Sequence, residues 1–288
     1  MHCVAVAGGS IVRSMKHGRG KYIRTLLLLS GMWILAAAPG CSAEEPTPAA
    51  VAGFDRYVGE IEARLAEQHQ AQGDFLTRMD ADPQIETRLH RGEFVFEDLT
   101  PSPGVALPGA LLHDWRGTAF VRSATTAEFE GLMRNFSVWP QRFAPQVLAT
   151  QVLAHERDRY QVRMRVRQRH VITVVLDTTY DVTFSRLDAR HGYSTSRSTQ
   201  IDEIGSGGRA LNPDKEHGFL WRMETWWSYE ERDGGLYMQI ESVSLTRSIP
   251  TGLGWAVGPY VESVPRDSLQ FTLRSVRNAL LKQGSDPR

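Results

Sequence analysis

Tyr160-Gln161-Val162-Arg163-Met164-Arg165-Val166-Arg167-Gln168-Arg169 alternates without a break: Tyr160, Val162, Met164 and Val166 fall on one side, Arg163, Arg165, Arg167 and Arg169 on the other. Successive side chains of an extended chain point to opposite faces, so this period of two predicts a strand with one face on a core. The same period continues on both sides of it, through segments near 146–155, 159–169, 171–186, 192–204, 218–231 and 235–248. Turn signals such as Glu156-Arg157-Asp158, Ser206-Gly207-Gly208 and Asp233-Gly234-Gly235 separate several of these six strands. Connections this short join antiparallel neighbours, because a parallel crossover needs far more chain.

Upstream, Trp115 to Val121 reads as one more strand, and Thr125-Thr126-Ala127-Glu128 reads as a capping box with Thr125 as N-cap. The helix it opens carries Phe129, Leu132, Met133 and Phe136 on one side, and Trp139 to Pro145 predicts a second, very short helix. Earlier still, Phe54, Tyr57, Val58, Ile61, Leu65, Leu76 and Met79 recur at helical spacing, with Gly73 dividing a long helix from a shorter one. Phe94-Val95-Phe96 starts a strand, and Thr100-Pro101-Ser102-Pro103-Gly104 is a strong breaker. At the other end Pro265 suits the first position of a helix whose apolar stripe is Leu269, Leu273, Val276, Ala279 and Leu280.

Strand, two short helices, six antiparallel strands and a long last helix: over residues 109–284 this order resembles the helix-grip fold of the START and Bet v 1-like superfamily, which includes polyketide cyclases and lipid-transfer proteins. Two runs carry the resemblance: Val171-Ile172-Thr173-Val174-Val175-Leu176-Asp177-Thr178-Thr179-Tyr180-Asp181-Val182, and Gln239 to Pro250 followed by Gly252-Leu253-Gly254-Trp255. The resemblance implies an α+β fold in which a curved antiparallel sheet of about seven strands wraps a long C-terminal helix, with an N-terminal helical extension. It also implies a cavity for an apolar or amphipathic ligand, with the Gly252–Gly258 loop at its mouth and Tyr180, Trp227, Glu241, Arg247, Trp255 and Val276 as ligand-binding candidates.

The chain before Cys41 reads as an export signal. Met15 is followed by Lys16, His17, Arg19, Lys21 and Arg24, then by the apolar runs Leu26 to Leu29 and Met32 to Ala38. Such a basic start and short apolar stretch mark a secretory signal rather than a membrane span. Ala38-Pro39-Gly40-Cys41 resembles the lipobox of bacterial lipoproteins, where the thiol receives a diacylglycerol; Ala38 stands where Leu is usual and Pro39 is uncommon at its place. The alternative is plain cleavage after Gly40. The expected organisation is a signal peptide at 1–40, with Met15 as a second candidate start, a flexible tether at 41–52, an extension with one short strand at 53–108 and a START/Bet v 1-like domain at 109–284. The expected location is the bacterial envelope, periplasm-facing and membrane-anchored through Cys41, or outside the cell if that thiol is unmodified.

Lys plus Arg and Asp plus Glu both number 33, so the overall charge offers no case for nucleic acid. The two cysteines, Cys3 and Cys41, leave none downstream for a disulfide or a catalytic thiol. His155-Glu156-Arg157-Asp158-Arg159 lacks the second histidine of a zinc-protease helix, and His170, His191 and His217 show no ligand spacing, so no metal is expected. Gly252 to Gly258 misses the dinucleotide fingerprint by one residue and Ser206 is outside a nucleophile-elbow pattern, so no cofactor is expected.

Two constellations remain. Arg163, Arg165 and Arg167 form a basic ridge that is either a solvated face with cross-strand acidic partners or a contact for anionic lipid headgroups or another envelope polyanion. Phe219, Trp221, Met223, Thr225, Trp227 and Tyr229 share one face, Arg222, Glu224 and Trp226 the other, while Glu241 and Arg247 lie in line with Val243 and Leu245. A buried Glu or Arg there needs a partner or a polar ligand. The function expected is non-catalytic binding or transfer of a lipid-like small molecule. A cyclase- or dehydratase-type enzyme would instead draw acid–base groups from Tyr180, Asp181, Glu241 or Arg247, and an envelope-assembly protein would use the N-terminal helices to hold a partner.

Overall fold

The computed structural model describes residues 45–70, 75–76, 83–101, 107–169, 173–212, 215–216, 220–248 and 254–283. The expected signal peptide, Cys41, Phe219, His170 and His217 lie outside these residues, and of Trp255 only the backbone is described.

Helix α1 spans Pro48–Gln70. Thr47 caps it, its hydroxyl accepting from the Ala50 N–H at 3.1 Å, and Pro48 occupies the first turn, where a missing N–H costs nothing. Residues 48–52, read from sequence as the end of the tether, are therefore helical. Phe75 and Leu76, assigned from sequence to a second short helix, form a buried bend, and a further short helix, α2 at Pro83–His90, with Ile85 and Leu89 as its apolar pair, follows in the chain.

Strands β1 (Val95–Asp98) and β2 (Ala110–Arg122) precede α3 (Thr126–Arg134), a 3₁₀ turn at Phe136–Val138 and α4 (Trp139–Arg142). The capping box forms as the sequence predicts: the Glu128 N–H donates to the Thr125 hydroxyl and the Thr125 N–H to the Glu128 carboxylate. Six strands follow, β3 (Val147–Glu156), β4 (Arg159–Arg169), β5 (Thr173–Arg186), β6 (His191–Glu203), β7 (Leu220–Arg232) and β8 (Gly235–Arg247), and then helix α5 (Gly254–Gln283). Asp233 and Gly234 both take positive φ, which suits the two-residue turn joining β7 to β8.

All eight strands form one antiparallel sheet in the order β1-β2-β8-β7-β6-β5-β4-β3. Expected as one short strand of the extension, β1 is the eighth strand of the sheet, paired with β2. The curved sheet with its C-terminal helix has the helix-grip architecture, and the described residues from 45 to 283 make one compact unit to which the extension belongs.

Helices α3 and α5 cover one face of the sheet. There Leu269, Leu273, Val276, Ala279 and Leu280 pack with Phe129, Leu132, Phe136, Trp227, Tyr229 and Ile240. Arg266 lies over the Phe96 ring and Arg277 over Phe94, so α5 runs along β1 and β2 from the Gly117 end toward Ala119. Helix α1 covers the other face, where Ala50, Phe54, Val58, Ile61 and Leu65 meet Leu112, Trp226, Val243 and Leu245. Burying each of the four larger α1 side chains contributes about 1.5–3 kcal/mol, so α1 is an integral layer.

Two sequence expectations are corrected here. The last helix begins at Gly254, so Pro265 lies inside it, giving up one backbone hydrogen bond, and residues 254–258 are helix rather than loop. Trp221 leaves the face of Met223 and Trp227 and joins the cluster under α1, because a register shift between Leu220 and Arg222 inserts one unpaired residue and reverses the alternation.

Gly117 lets α5 approach the sheet: a Cβ there would stand 2.6 Å from Leu273 Cδ1 and 3.0 Å from Phe96 Cε1. Gly117→Val is expected to lower unfolding free energy by about 1–3 kcal/mol through overpacking. Urea denaturation would show this, and an unchanged midpoint would mean that α5 does not need the close approach.

Candidate functional site: the helix-facing side of the sheet

Residues paired directly across adjacent strands share a face, so the register lays out the sheet under α5 as transverse rows. The first row is Gly117, Ile240, Trp227, Ser194 and Phe184, filled from above by Leu269 and Leu273. The next is Trp115, Ser242, Thr225, Ser196, Val182 and Tyr160. Trp115, Ser242, Thr225 and Ser196 are only half-buried, although they sit on the covered face between interior strands. Beyond them lie His113, Ser244 and Met223 in one register, and Ser198, Tyr180 and Val162 in continuation of it. Met164 and Met223 are half-buried as well.

This surface changes character along α5. Its filled end is aromatic and aliphatic. Its half-buried end presents hydroxyls beside two thioethers and an indole. Several polar groups are already satisfied: the Ser198 hydroxyl accepts from the Met223 N–H at 2.9 Å, the Thr178 hydroxyl donates to the Met164 carbonyl at 3.2 Å, and His113 Nε2 lies 3.2 Å from Thr246 Oγ1. Thr225 and Ser242 share a longer contact of 3.4 Å. Tyr180 donates toward Met223 Sδ at 3.8 Å, and burial pushes its phenol up to about 12, so it stays protonated at physiological pH. Sequence periodicity locates these strands, but small hydroxyl residues give no signal of their own, so it does not single out this row.

The ligand-binding candidates divide between the two faces. Tyr180, Trp227 and Val276 belong to the cluster under α5. Val276 is completely buried against the protein's own core, and Trp227 meets Phe129 edge-on at 5.3 Å. Glu241 and Arg247 face α1 instead, so the expectation that they contact the same ligand as Tyr180 is corrected: β8 is buried on both sides, and its odd-numbered residues point away from α5. Glu241 accepts from Arg116 Nε at 3.0 Å and Nη2 at 2.8 Å, and from Arg64 of α1. Arg247 lies near Glu216, whose carboxyl burial pushes up, with Arg247 only a minor opposing charge. Asp181 is exposed on the sheet face away from α5 and accepts from Gln161 at 3.1 Å.

The surface under α1 is charged as well as apolar. Arg116 also reaches Glu97 at 3.5 Å, Arg197 pairs with Glu224 at 3.0 Å and with Glu62 at 3.2 Å, and Tyr57 donates to Asp114 at 2.7 Å. Asp114 is 2% exposed. Desolvation, and then the neighbouring Glu241 charge, push its carboxyl up to about 7. His69 stacks between Phe75 and Tyr193 with Nε2 2.8 Å from Ser228 Oγ, and desolvation, helped by Arg64, pushes it down to about 4. Among the described residues no group of His, Cys, Asp and Glu could hold a metal ion.

No protein-family model and no curated protein matches the chain. Solved structures do. A START superfamily protein from Mycobacterium smegmatis is 13% identical, with a TM-score of 0.40 over 59% of this chain and 98% of that one. A fragment of the STAR-related lipid transfer protein from Xanthomonas axonopodis is 17% identical, with a TM-score of 0.40 over 64% of this chain and 98% of that one. The Zhui aromatase/cyclase from Streptomyces sp. R1128 is 13% identical, with a TM-score of 0.43 over 60% of this chain and 95% of that one. At such identities and TM-scores, the strand order and layering of the chain itself define its fold.

The two shifted groups oppose each other. Asp114, raised on folding, adds stability below about pH 4 that is lost as pH rises through about 7, whereas His69, lowered on folding, adds stability above pH 6.5 that is lost as pH falls through about 4. One proton is taken up as another is released, so the pair nearly cancels between these limits. Relative to the wild type, Asp114→Asn is expected to melt at progressively lower temperature from pH 7 to pH 5, and His69→Gln at lower temperature from pH 5 to pH 7. Parallel melting curves for all three proteins across this range would show that neither group titrates with folding.

Proposed function

We propose that the protein binds or transfers a lipid-like amphipathic small molecule between α5 and the sheet, without covalent chemistry. The observation that carries this reading is the half-buried row Trp115, Ser242, Thr225 and Ser196, flanked by Met164 and Met223, on the face that α5 covers. Apolar surface left in contact with water beneath a helix gains by receiving an apolar group, and the adjoining half-buried hydroxyls suit the ligand's polar end. Similar structures bearing the names lipid transfer protein and aromatase/cyclase leave binding and catalysis both open. The acid–base set of an enzyme is split, however, since of Tyr180, Asp181, Glu241 and Arg247 only Tyr180 faces α5.

Each ligand methylene removed from water contributes about 0.8 kcal/mol. Displacement of a fluorescent fatty acid should therefore tighten with chain length. Thr225→Phe, which occupies the open row, should weaken it on the order of tenfold, the loss of about two buried methylenes, with the melting temperature preserved. Displacement independent of chain length would overturn the reading.

Export and anchoring through Cys41 belong to the same proposal. With α1 starting at Pro48, residues 42–47 would form the whole tether between the lipidated thiol and the folded unit. Metabolic labelling with a palmitate analogue is expected to mark the wild type and not Cys41→Ser; an unlabelled wild type with Met1 still at its N-terminus would refute both export and anchoring.

A further inference from the structure

The hairpin β3–β4 stands at the edge of the sheet farthest from β1. Every residue of β3 from Gln151 to Glu156 is exposed. Val152 and Leu153 are 44% and 43% exposed, two of the four large apolar side chains left open among the described residues, and they are adjacent. Leu153 has no partner on β4, because the register shifts between Val152 and Ala154; a second shift lies between Val147 and Ala149. Two such irregularities interrupt the row of hydrogen-bonding groups that another strand would need, which disfavours addition of a strand from a second copy.

Charge singles out the same hairpin. Residues 147–169 hold six arginines and two carboxylates, a surplus of four positive charges in a chain whose total is zero. Arg165 is taken up by Asp177, with contacts of 2.7 and 2.8 Å, and the acidic turn residue Asp158 is neutralised by Arg134 at 2.7 Å. Asp181, the acidic neighbour on β5, accepts from the neutral Gln161 amide and keeps its charge, which offsets one of the four. Arg157, Arg159, Arg163 and Arg169 are exposed, and no ion pair ties any of them to another described residue. The basic ridge read from the sequence therefore gives up Arg165 to a cross-strand pair and extends instead to the hairpin turn.

We infer that the β3–β4 hairpin is a docking element that meets an anionic lipid surface edge-on, with Val152 and Leu153 of the edge strand entering the headgroup boundary and the long side chains of Arg157, Arg159 and Arg163, at the turn and on the face of β4 opposite Val162, reaching phosphates. The charge complementarity favours an anionic bilayer, and the adjacent apolar pair favours a surface with hydrocarbon beneath its charge over a soluble polyanion. The inference is independent of the ligand site under α5. It also needs no modification of Cys41.

Hydrogen exchange on the full chain tests it locally, whatever else holds the chain to vesicles. With vesicles of phosphatidylglycerol and phosphatidylcholine, amides of residues 147–163 are expected to exchange about tenfold more slowly, and with pure phosphatidylcholine unchanged. The protection should vanish in Val152→Ser/Leu153→Ser and weaken with added salt, and more steeply in the wild type than in Arg157→Gln/Arg159→Gln/Arg163→Gln. Both variants change exposed positions, and retained melting temperature confirms their fold. Three outcomes would overturn the inference: no protection while the chain is vesicle-bound, equal protection on neutral vesicles, or protection without vesicles that rises with protein concentration alongside a dimer in sedimentation. The last would identify a second copy as the occupant.

Discussion

Arg116 and Glu241 stand directly opposite each other on β2 and β8, both 3% exposed, and Arg64 reaches the same carboxylate from α1. Removing one partner of a buried pair strands the other charge at a cost of about 3–5 kcal/mol, whereas replacing both by apolar groups is often neutral. The contribution of such a pair lies less in net stability than in what it excludes. A slip of one residue between β2 and β8 would turn Glu241 into the cluster under α5, among Ile240, Trp227 and Leu273, with no cation to meet it. The pair thus fixes the central register, and through Arg64 it favours the seating of α1 that places Phe54, Val58, Ile61 and Leu65 on Leu112, Val243 and Leu245.

That register separates two chemistries by parity. Even-numbered residues of β8 meet α5 with aliphatic side chains at one end and hydroxyls at the other, while odd-numbered residues meet α1 with charge and then with Val243 and Leu245. A strand buried on both sides cannot leave an ionisable group without an answer on either face. On the α1 side the protein supplies the answers itself, through Arg116, Arg64 and Tyr57. On the α5 side the half-buried hydroxyls, thioethers and indole are neutral, so that surface tolerates standing open.

Much of this was legible in the sequence because alternation reports the backbone directly. The ends of the six strands fall within one or two residues of those the period of two predicts, and Thr125 and Glu128 cap α3 as their spacing requires. The facing of a strand buried on both sides was harder to read. Leu236, Tyr237, Met238, Gln239 and Ile240 are all buried, so hydropathy could not say which parity meets which helix. The stripe on α1 likewise signals that the helix is covered, not what covers it. Trp221 shows the other failure, since the irregularity that reverses it lies in the pairing of two strands and leaves no mark in either one alone. Pro265, an apt first residue for a helix, is carried inside one because the chain before it continues the same helix.

The zero net charge of the chain conceals a separation that only the fold makes visible. Glu62, Glu97, Asp114, Glu224 and Glu241 gather at or beneath α1 with Arg64, Arg116 and Arg197, so acids outnumber arginines there. The excess is relieved in part by holding a proton: Asp114, desolvated and beside Glu241, is raised to about 7 while accepting from Tyr57, so it does not add another full charge. Acids drawn into this layer cannot screen the opposite edge of the sheet, where the arginines of the β3–β4 hairpin outnumber the carboxylates beside them, Glu156, Asp158, Asp177 and Asp181. A neutral composition therefore excludes a uniform polyanion-binding surface but not a local one, because attraction to an anionic surface is felt over about a Debye length of 8–10 Å rather than across a whole domain.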